Sequence, residues 1–144
     1  MNQVVVDASV ALKWLLEEEL SDKAEALLAD SLGRGTVIVG PPHLTGEVAN
    51  ALYRRIHRSQ NNITQEEAET ALAQFLAIPI QVVGSDDLYT QAFAFALRHG
   101  LSSLYDSLYV VLAHLLGAEF WTDDRRLLNT LAQTAPWVRP IADY

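Results

Sequence analysis

The stretch Gln3-Val4-Val5-Val6-Asp7-Ala8-Ser9 joins a β-branched run to a carboxylate, and the residues after it carry a helical apolar pattern. Val4-Val5-Val6 is short, continuous and β-branched, the signature of a buried parallel strand, so a sharp strand-to-helix turn falls at Asp7. This restricts the chain to folds in which helices cross between parallel strands. In such folds the carboxyl ends of the strands share one edge of the sheet, where ligands and catalytic groups gather. Three more acids stand at comparable junctions: Glu47 after a strand at 36–39, Asp106 in the opening of a helix at 104–116, and Asp124 just after a strand at 119–122. We expect the four to converge.

The alternation continues along the chain. Residues 9–18 read as a helix, with Val10, Leu12, Trp14 and Leu15 spread around it. Ser21-Asp22 offers an N-cap and a first-turn acid for a helix at 23–32, with Gly33 as its C-cap. The strand at 36–39 stops at Gly40-Pro41-Pro42, and the prolines suit the entry of a helix at 43–58 whose first turns carry Glu47. Thr64-Gln65-Glu66-Glu67 matches a capping box for a helix at 65–77. A strand at 80–83 follows, then helices at 87–98 and 104–116 ended by Gly100 and Gly117, the strand at 119–122, a helix at 124–132 and a short edge strand at 138–141. This order predicts an α/β fold, a three-layer α/β/α sandwich around a central, mainly parallel sheet of four to five strands. Residues 1–144 read as a single domain without linker or repeat, long enough to bury roughly two-thirds of its unfolded surface.

Cysteine is absent, which removes thiol nucleophiles and thiolate metal sites and fits a reducing cytoplasm. No apolar run approaches the ~18 residues of a membrane span and no signal-peptide pattern opens the chain, so we expect a soluble cytoplasmic protein. Eighteen acids against ten Lys and Arg give a formal charge of −8, which argues against broad binding to a phosphate backbone. A nuclease remains compatible, because a metal site concentrates carboxylates and a local basic patch still guides a strand.

Each acid also has a plainer role as a cap, since Asp and Glu near helix N-termini satisfy free N–H groups. Asp7 resists that reading because it ends a buried strand. Asp106 does too, because Ser103 is the better-placed cap. Asp123 and Asp124 are adjacent, and spacing alone leaves open which one faces the edge. A carboxylate cluster without cysteine supplies hard oxygen donors, which favour Mg²⁺ or Mn²⁺ over zinc and suit water activation at a phosphoryl group. His57, His99 and His114 fall in last turns of helices, where positive charge is favourable, and His43 precedes the Glu47 helix. Arg54, Arg55 and Arg58 form either a solvated face or a phosphate-guiding patch.

Val4-Val5-Val6-Asp7-Ala8-Ser9, Gly46-Glu47-Val48-Ala49-Asn50-Ala51-Leu52, Tyr105-Asp106-Ser107-Leu108-Tyr109 and Thr122-Asp123-Asp124-Arg125-Arg126-Leu127, in this order, make the chain resemble a PIN domain of the VapC-toxin type. The resemblance implies a Mg²⁺-dependent endoribonuclease, with Mn²⁺ able to substitute. It further implies a homodimer inhibited by a small cognate antitoxin. Carried over by position, Asp7 and Asp106 are the metal-binding acids, Glu47 and Asp124 complete the pocket directly or through water, and Ser9 and Thr122 are supporting hydrogen-bonders. Ser107 and Asp123 depart mildly from the family pattern. The alternative function is a PIN-like module that binds a protein without catalysis. A receiver domain needs a late lysine, and none follows Lys23; a haloacid-dehalogenase-type phosphatase needs an acid where Ser9 stands. Leu12, Leu15 and Leu16 on the first helix and Ala26, Leu27 and Leu28 on the second exceed what one sheet face covers. They are expected either to pack on neighbours or to form a groove for the antitoxin.

Overall fold

The structure, a computed structural model, describes residues 2–144. Five strands, β1 (Gln3–Val6), β2 (Val37–Gly40), β3 (Ile80–Val82), β4 (Glu119–Thr122) and β5 (Val138–Pro140), form one sheet in the order β3-β2-β1-β4-β5. Every neighbouring pair is parallel. Seven α-helices surround it: α1 (Ala8–Leu15), α2 (Ser21–Arg34), α3 (Leu44–Ile56), α4 (Gln65–Ala77), α5 (Asp86–His99), α6 (Leu104–Leu116) and α7 (Arg125–Leu131). This is the expected three-layer α/β/α sandwich, with the sheet wholly parallel.

Register decides which side chains reach which layer. Val5 pairs with Val39 and with Phe120, and all three face the larger core, built with residues of α3 to α7. Val4, Val6, Ile38 and Trp121 face the smaller core, covered by Ala24 and Leu27 of α2 and by Ile141. Because side chains alternate along a strand, a one-residue slip would exchange the two sets, so burial on both faces fixes the register. Helix α1 sits at the rim and feeds both cores, Val10 into one and Ala11 into the other.

Most helix ends follow their local signals. Thr64 and Glu67 make the reciprocal capping box of α4, Ser85 caps α5, and Gly100 and Gly117 end α5 and α6 in the left-handed conformation. The second helix departs from its signal. Leu20, at φ 68°, is the residue before α2, and Ser21 is inside it, because the Ser21 hydroxyl is taken by the Leu16 carbonyl and the Glu18 N–H of the tight connection from α1. The helix likewise runs past Gly33 to Arg34 and is closed by Gly35 at φ 68°. At the far edge, β3 leaves Gln81 and Val82 exposed.

The apolar residues of the first two helices are largely spent on packing. Leu12, Trp14, Leu15 and Leu16 lie against the larger core, where α1 meets α3 and α4, Leu27 is buried and Leu28 packs on the smaller core. Packing thus takes up much of this apolar surface, while Leu12, Leu15 and Leu16 also line open clefts against α3 and α4. The exposed large apolar side chains include Tyr89, Phe93 and Leu97, which recur every four residues along α5.

Phe120 is fully buried and stacks on Tyr109 with ring centroids 5.5 Å apart. Phe120→Ala is expected to cost roughly 3–5 kcal/mol in urea unfolding, as for other large-to-small core changes. Leu76→Ala, at a 62 % exposed position, is expected to stay within about 0.5 kcal/mol of wild type. Equal midpoints for the two variants would contradict this core.

Candidate active site

Parallel order sets the carboxyl ends of β1 and β4 side by side at the sheet's centre. Windings on one side of them lead to β2 and β3 and on the other to β5, which makes this the topological switch point. Asp7 stands directly after β1 and also caps α1: Oδ1 accepts from the Val10 N–H at 3.2 Å and from the Ser9 hydroxyl, while Oδ2 accepts from the Thr122 hydroxyl. A carboxylate offers about four lone-pair directions, so one on Oδ2 remains free. Capping and site-facing roles thus coexist on one side chain.

The two hydroxyls also receive. Ser9 Oγ accepts the Asp123 N–H at 2.9 Å and Thr122 Oγ1 accepts the Asp124 N–H at 3.0 Å. They stitch the turn after β1 to the turn after β4, and their placement follows from the register that sets Val6 beside Trp121. Asp124 caps α7 by accepting from the Leu127 N–H at 3.1 Å, and its charge acts on Asp106. Asp123 turns to the buried Lys13, whose Nζ lies 3.0 Å from its Oδ2. The pair left open by spacing divides in this way.

Glu47, in the first turn of α3, accepts from the Tyr109 hydroxyl at 2.6 Å. His43 Nε2 lies 3.3 Å from the same oxygen, outside hydrogen-bond geometry. The His43 ring packs between Tyr105 and Tyr109, with centroids at 4.6 and 4.9 Å. Asp106 is half-buried in the first turn of α6, whose cap is Ser103, and makes no hydrogen bond or ion pair among the described residues.

Charge accumulates at this edge without compensation. Burial pushes the Asp7 carboxyl from 3.8 up to about 6 against the lowering effect of its three hydrogen bonds, with Glu47 adding to the rise. Burial, then the charges of Asp124 and Glu47, push Asp106 to about 6 as well. The Tyr109 hydroxyl is raised by burial and by its bond to Glu47, with Asp7 and Asp106 adding repulsion. His43 is lowered, burial outweighing the pull of Glu47. The four acids singled out in the sequence are therefore electrostatically one group. Tyr109, His43 and Lys13 were not assigned to it. Tyr109 lies three residues after Asp106 and His43 four before Glu47, so helical spacing gave a signal for both. Lys13 meets Asp123 across 110 residues of chain, and nothing local announces that contact.

The residues suit a hard cation. Asp7 has one free lone pair, Asp106 has no competing partner, and both gain by ionising beside positive charge. Among the described residues no three Asp, Glu or His side chains already enclose one ion position. Mg²⁺ does not require such a cage, since it is commonly held by one or two carboxylates with water completing the shell.

Raised carboxyl values make stability depend on pH. The unfolded chain ionises these acids near 3.8 and the folded chain only near 6, so between those values the folded state holds more protons and rising pH destabilises it. For the buried Asp7 the difference is of the order of 3 kcal/mol; for the half-exposed Asp106, discounted for solvent screening, about 1 kcal/mol. Asp106→Asn loses no hydrogen bond and is expected to raise the melting temperature by about 2–4 °C at pH 7 in EDTA. That gain should vanish below about pH 4, where the wild-type acid is itself neutral. An equal gain at both pH values would contradict the uncompensated charge.

The PIN domain family model matches residues 4–132. The ribonuclease VapC3 of Pyrobaculum aerophilum is 31% identical over 127 residues, covering 87% of this chain and 92% of that protein. Among solved structures, Mycobacterium tuberculosis VapC20, described as a sarcin-ricin loop cleaving toxin, superposes with a TM-score of 0.68 at 22% identity, covering 95% of this chain and 99% of that one. A toxin-antitoxin complex from Klebsiella pneumoniae superposes with a TM-score of 0.61 at 16% identity, covering 94% of each chain. With the family model spanning nearly the whole chain and the acids of its four segments gathered at one sheet edge, this chain belongs to the PIN domain family.

Proposed function

We propose that the chain is a Mg²⁺-dependent endoribonuclease of the cytoplasm and the toxin of a toxin-antitoxin pair. The observation that carries this reading is the pair of uncompensated carboxyls, Asp7 and Asp106, raised together at the switch point of a parallel sheet. Relatives named as ribonucleases, and structural neighbours described as toxins and toxin-antitoxin complexes, support it.

Asp7 and Asp106 would hold the cation, with Glu47 and Asp124 on its outer side, binding through water or directly. When bound, the ion supplies charge for the phosphoryl transition state and acidifies a coordinated water. The chain's own residues do the positioning. Ser9 and Thr122 fix the Asp7 carboxylate so that its free lone pair keeps one direction. Tyr109 holds Glu47 by its hydroxyl, leaving Oε2 to order a water for in-line attack on phosphorus. Lys13 neutralises Asp123, which keeps an extra negative charge from facing an incoming phosphate.

A homodimer follows from the same reading, with Tyr89, Phe93 and Leu97 of α5 as its apolar seam. The antitoxin would set apolar anchors in the cleft of about 670 Å³ between α3 and α4, lined by Ala49, Leu52, Ile56, Ala68 and Leu72. The chain's net charge of −8 would draw a basic segment. A non-catalytic protein-binding module would not need the raised acids, and no observation favours it.

Purified protein incubated with total RNA is expected to create new, mappable ends with Mg²⁺ and none in EDTA. Asp7→Asn and Asp106→Asn should each lower this cleavage at least about a hundredfold while staying folded. Near wild-type cleavage by both variants would overturn the assignment. Mn²⁺ at about 100 times its dissociation constant should stabilise the wild type by roughly 2.7 kcal/mol. Asp106→Asn should lose most of that gain, and equal melting shifts in the two proteins would show that the acids do not form the ion site.

A further inference from the structure

Beside the acids, a cleft of about 690 Å³ opens between α1 and the C-terminal end of α3. Ser9 and Asp123 line it as well as the catalytic edge, so the cleft leads into the site. In a chain of net charge −8, its walls carry four cations, Lys13, Arg54, Arg55 and Arg58, against two anions, Glu18 and Asp123. Internal pairs consume part of that charge. Arg55 lies 2.6 Å from Glu18, and Lys13 is committed to Asp123. Arg54 and Arg58 are exposed and make no ion pair or side-chain hydrogen bond among the described residues. Next to them Tyr53 is 63 % exposed and meets His57 edge-on, with ring centroids 5.0 Å apart.

Cations at the end of α3 also complement its dipole, and that accounts for positive charge there. It does not account for an unburied tyrosine beside them or for the continuity with the acids. Free guanidinium groups beside an exposed aromatic ring match the way proteins hold single-stranded nucleic acid, with phosphates on the cations and a base on the ring. An acidic protein segment would meet the same arginines but has no use for a path to the carboxylates.

We propose that this cleft is the track for single-stranded RNA flanking the scissile phosphate, with Arg54 and Arg58 each holding a backbone phosphate and Tyr53 stacking a base. The inference rests on the ribonuclease reading above. It adds where the strand lies and which side chains set affinity rather than rate. Arg55 and Lys13 are positioning residues here: their ion pairs with Glu18 and Asp123 shield the phosphates from the two acids in the walls.

The test uses the full chain and a short labelled single-stranded RNA. Binding is measured in the Asp106→Asn background by anisotropy across a salt series, and cleavage of the same RNA in the otherwise wild-type enzyme. The double variant Arg54→Glu/Arg58→Glu should weaken binding at least about tenfold, and its salt slope should fall by about 1.4, from about 0.7 for each lost phosphate contact on a single strand. In cleavage it should raise KM by a similar factor with kcat within about twofold of wild type. Tyr53→Ala should weaken binding with the salt slope unchanged, because stacking releases no counterions. All three positions are exposed, and unchanged melting temperatures would confirm that the variants fold. An unchanged salt slope and KM in the double variant, while the wild type cuts RNA, would overturn the track and leave the ribonuclease reading standing. Loss of affinity for a co-purifying protein with RNA binding intact would overturn it too, in favour of a protein-docking surface. A wild type that cuts no RNA would instead strike the ribonuclease reading itself.

Discussion

Asp7 holds the middle of this molecule together and keeps it under electrostatic stress at once. Its carboxylate is buried at the end of the central strand, where an unpartnered charge would be costly. Two hydroxyls and one backbone N–H make it tolerable, and the same hydroxyls accept the N–H groups of Asp123 and Asp124. The turns after β1 and β4 are therefore one hydrogen-bonded unit. The order β3-β2-β1-β4-β5 makes this unit available, because only adjacent parallel strands bring their carboxyl ends within reach of a shared side chain.

Around that unit the charges are distributed unevenly. Asp123 is neutralised by Lys13 and Glu18 by Arg55, so the flank toward α3 ends with spare positive charge. Asp106 and Asp124 line the other flank together with Arg126, which makes no ion pair with either acid among the described residues. Stability is given up at the acids, as at other sites where function requires like charges to stand together.

How much of this was legible depends on distance along the chain. The strand-ending Asp7, the capping box at Thr64 and the closing glycines at 100 and 117 are local patterns, and each folds as its neighbours dictate. The α/β/α order follows from alternation alone. Ser21 looked like a cap by the same local logic, yet its hydroxyl serves the tight connection after α1, and Leu20 takes the left-handed conformation that ends the turn. The apolar surplus of α1 and α2 left packing and a binding groove both open, because packing of α1 on α3 and α4 leaves no trace in either helix's own sequence. The division of labour between Asp123 and Asp124 was illegible for the same reason, since it is decided by a lysine 110 residues away.

The central claim is that acids from four separated segments share one electrostatic environment. A carbon-13 titration of the aspartate carboxyl groups in metal-free protein reads this directly. Asp7 and Asp106 should titrate near 6, well above the ordinary aspartate value of 3.8, and addition of Mg²⁺ should draw both downward together. Ordinary values for both in the metal-free protein, unmoved by Mg²⁺, would contradict the account.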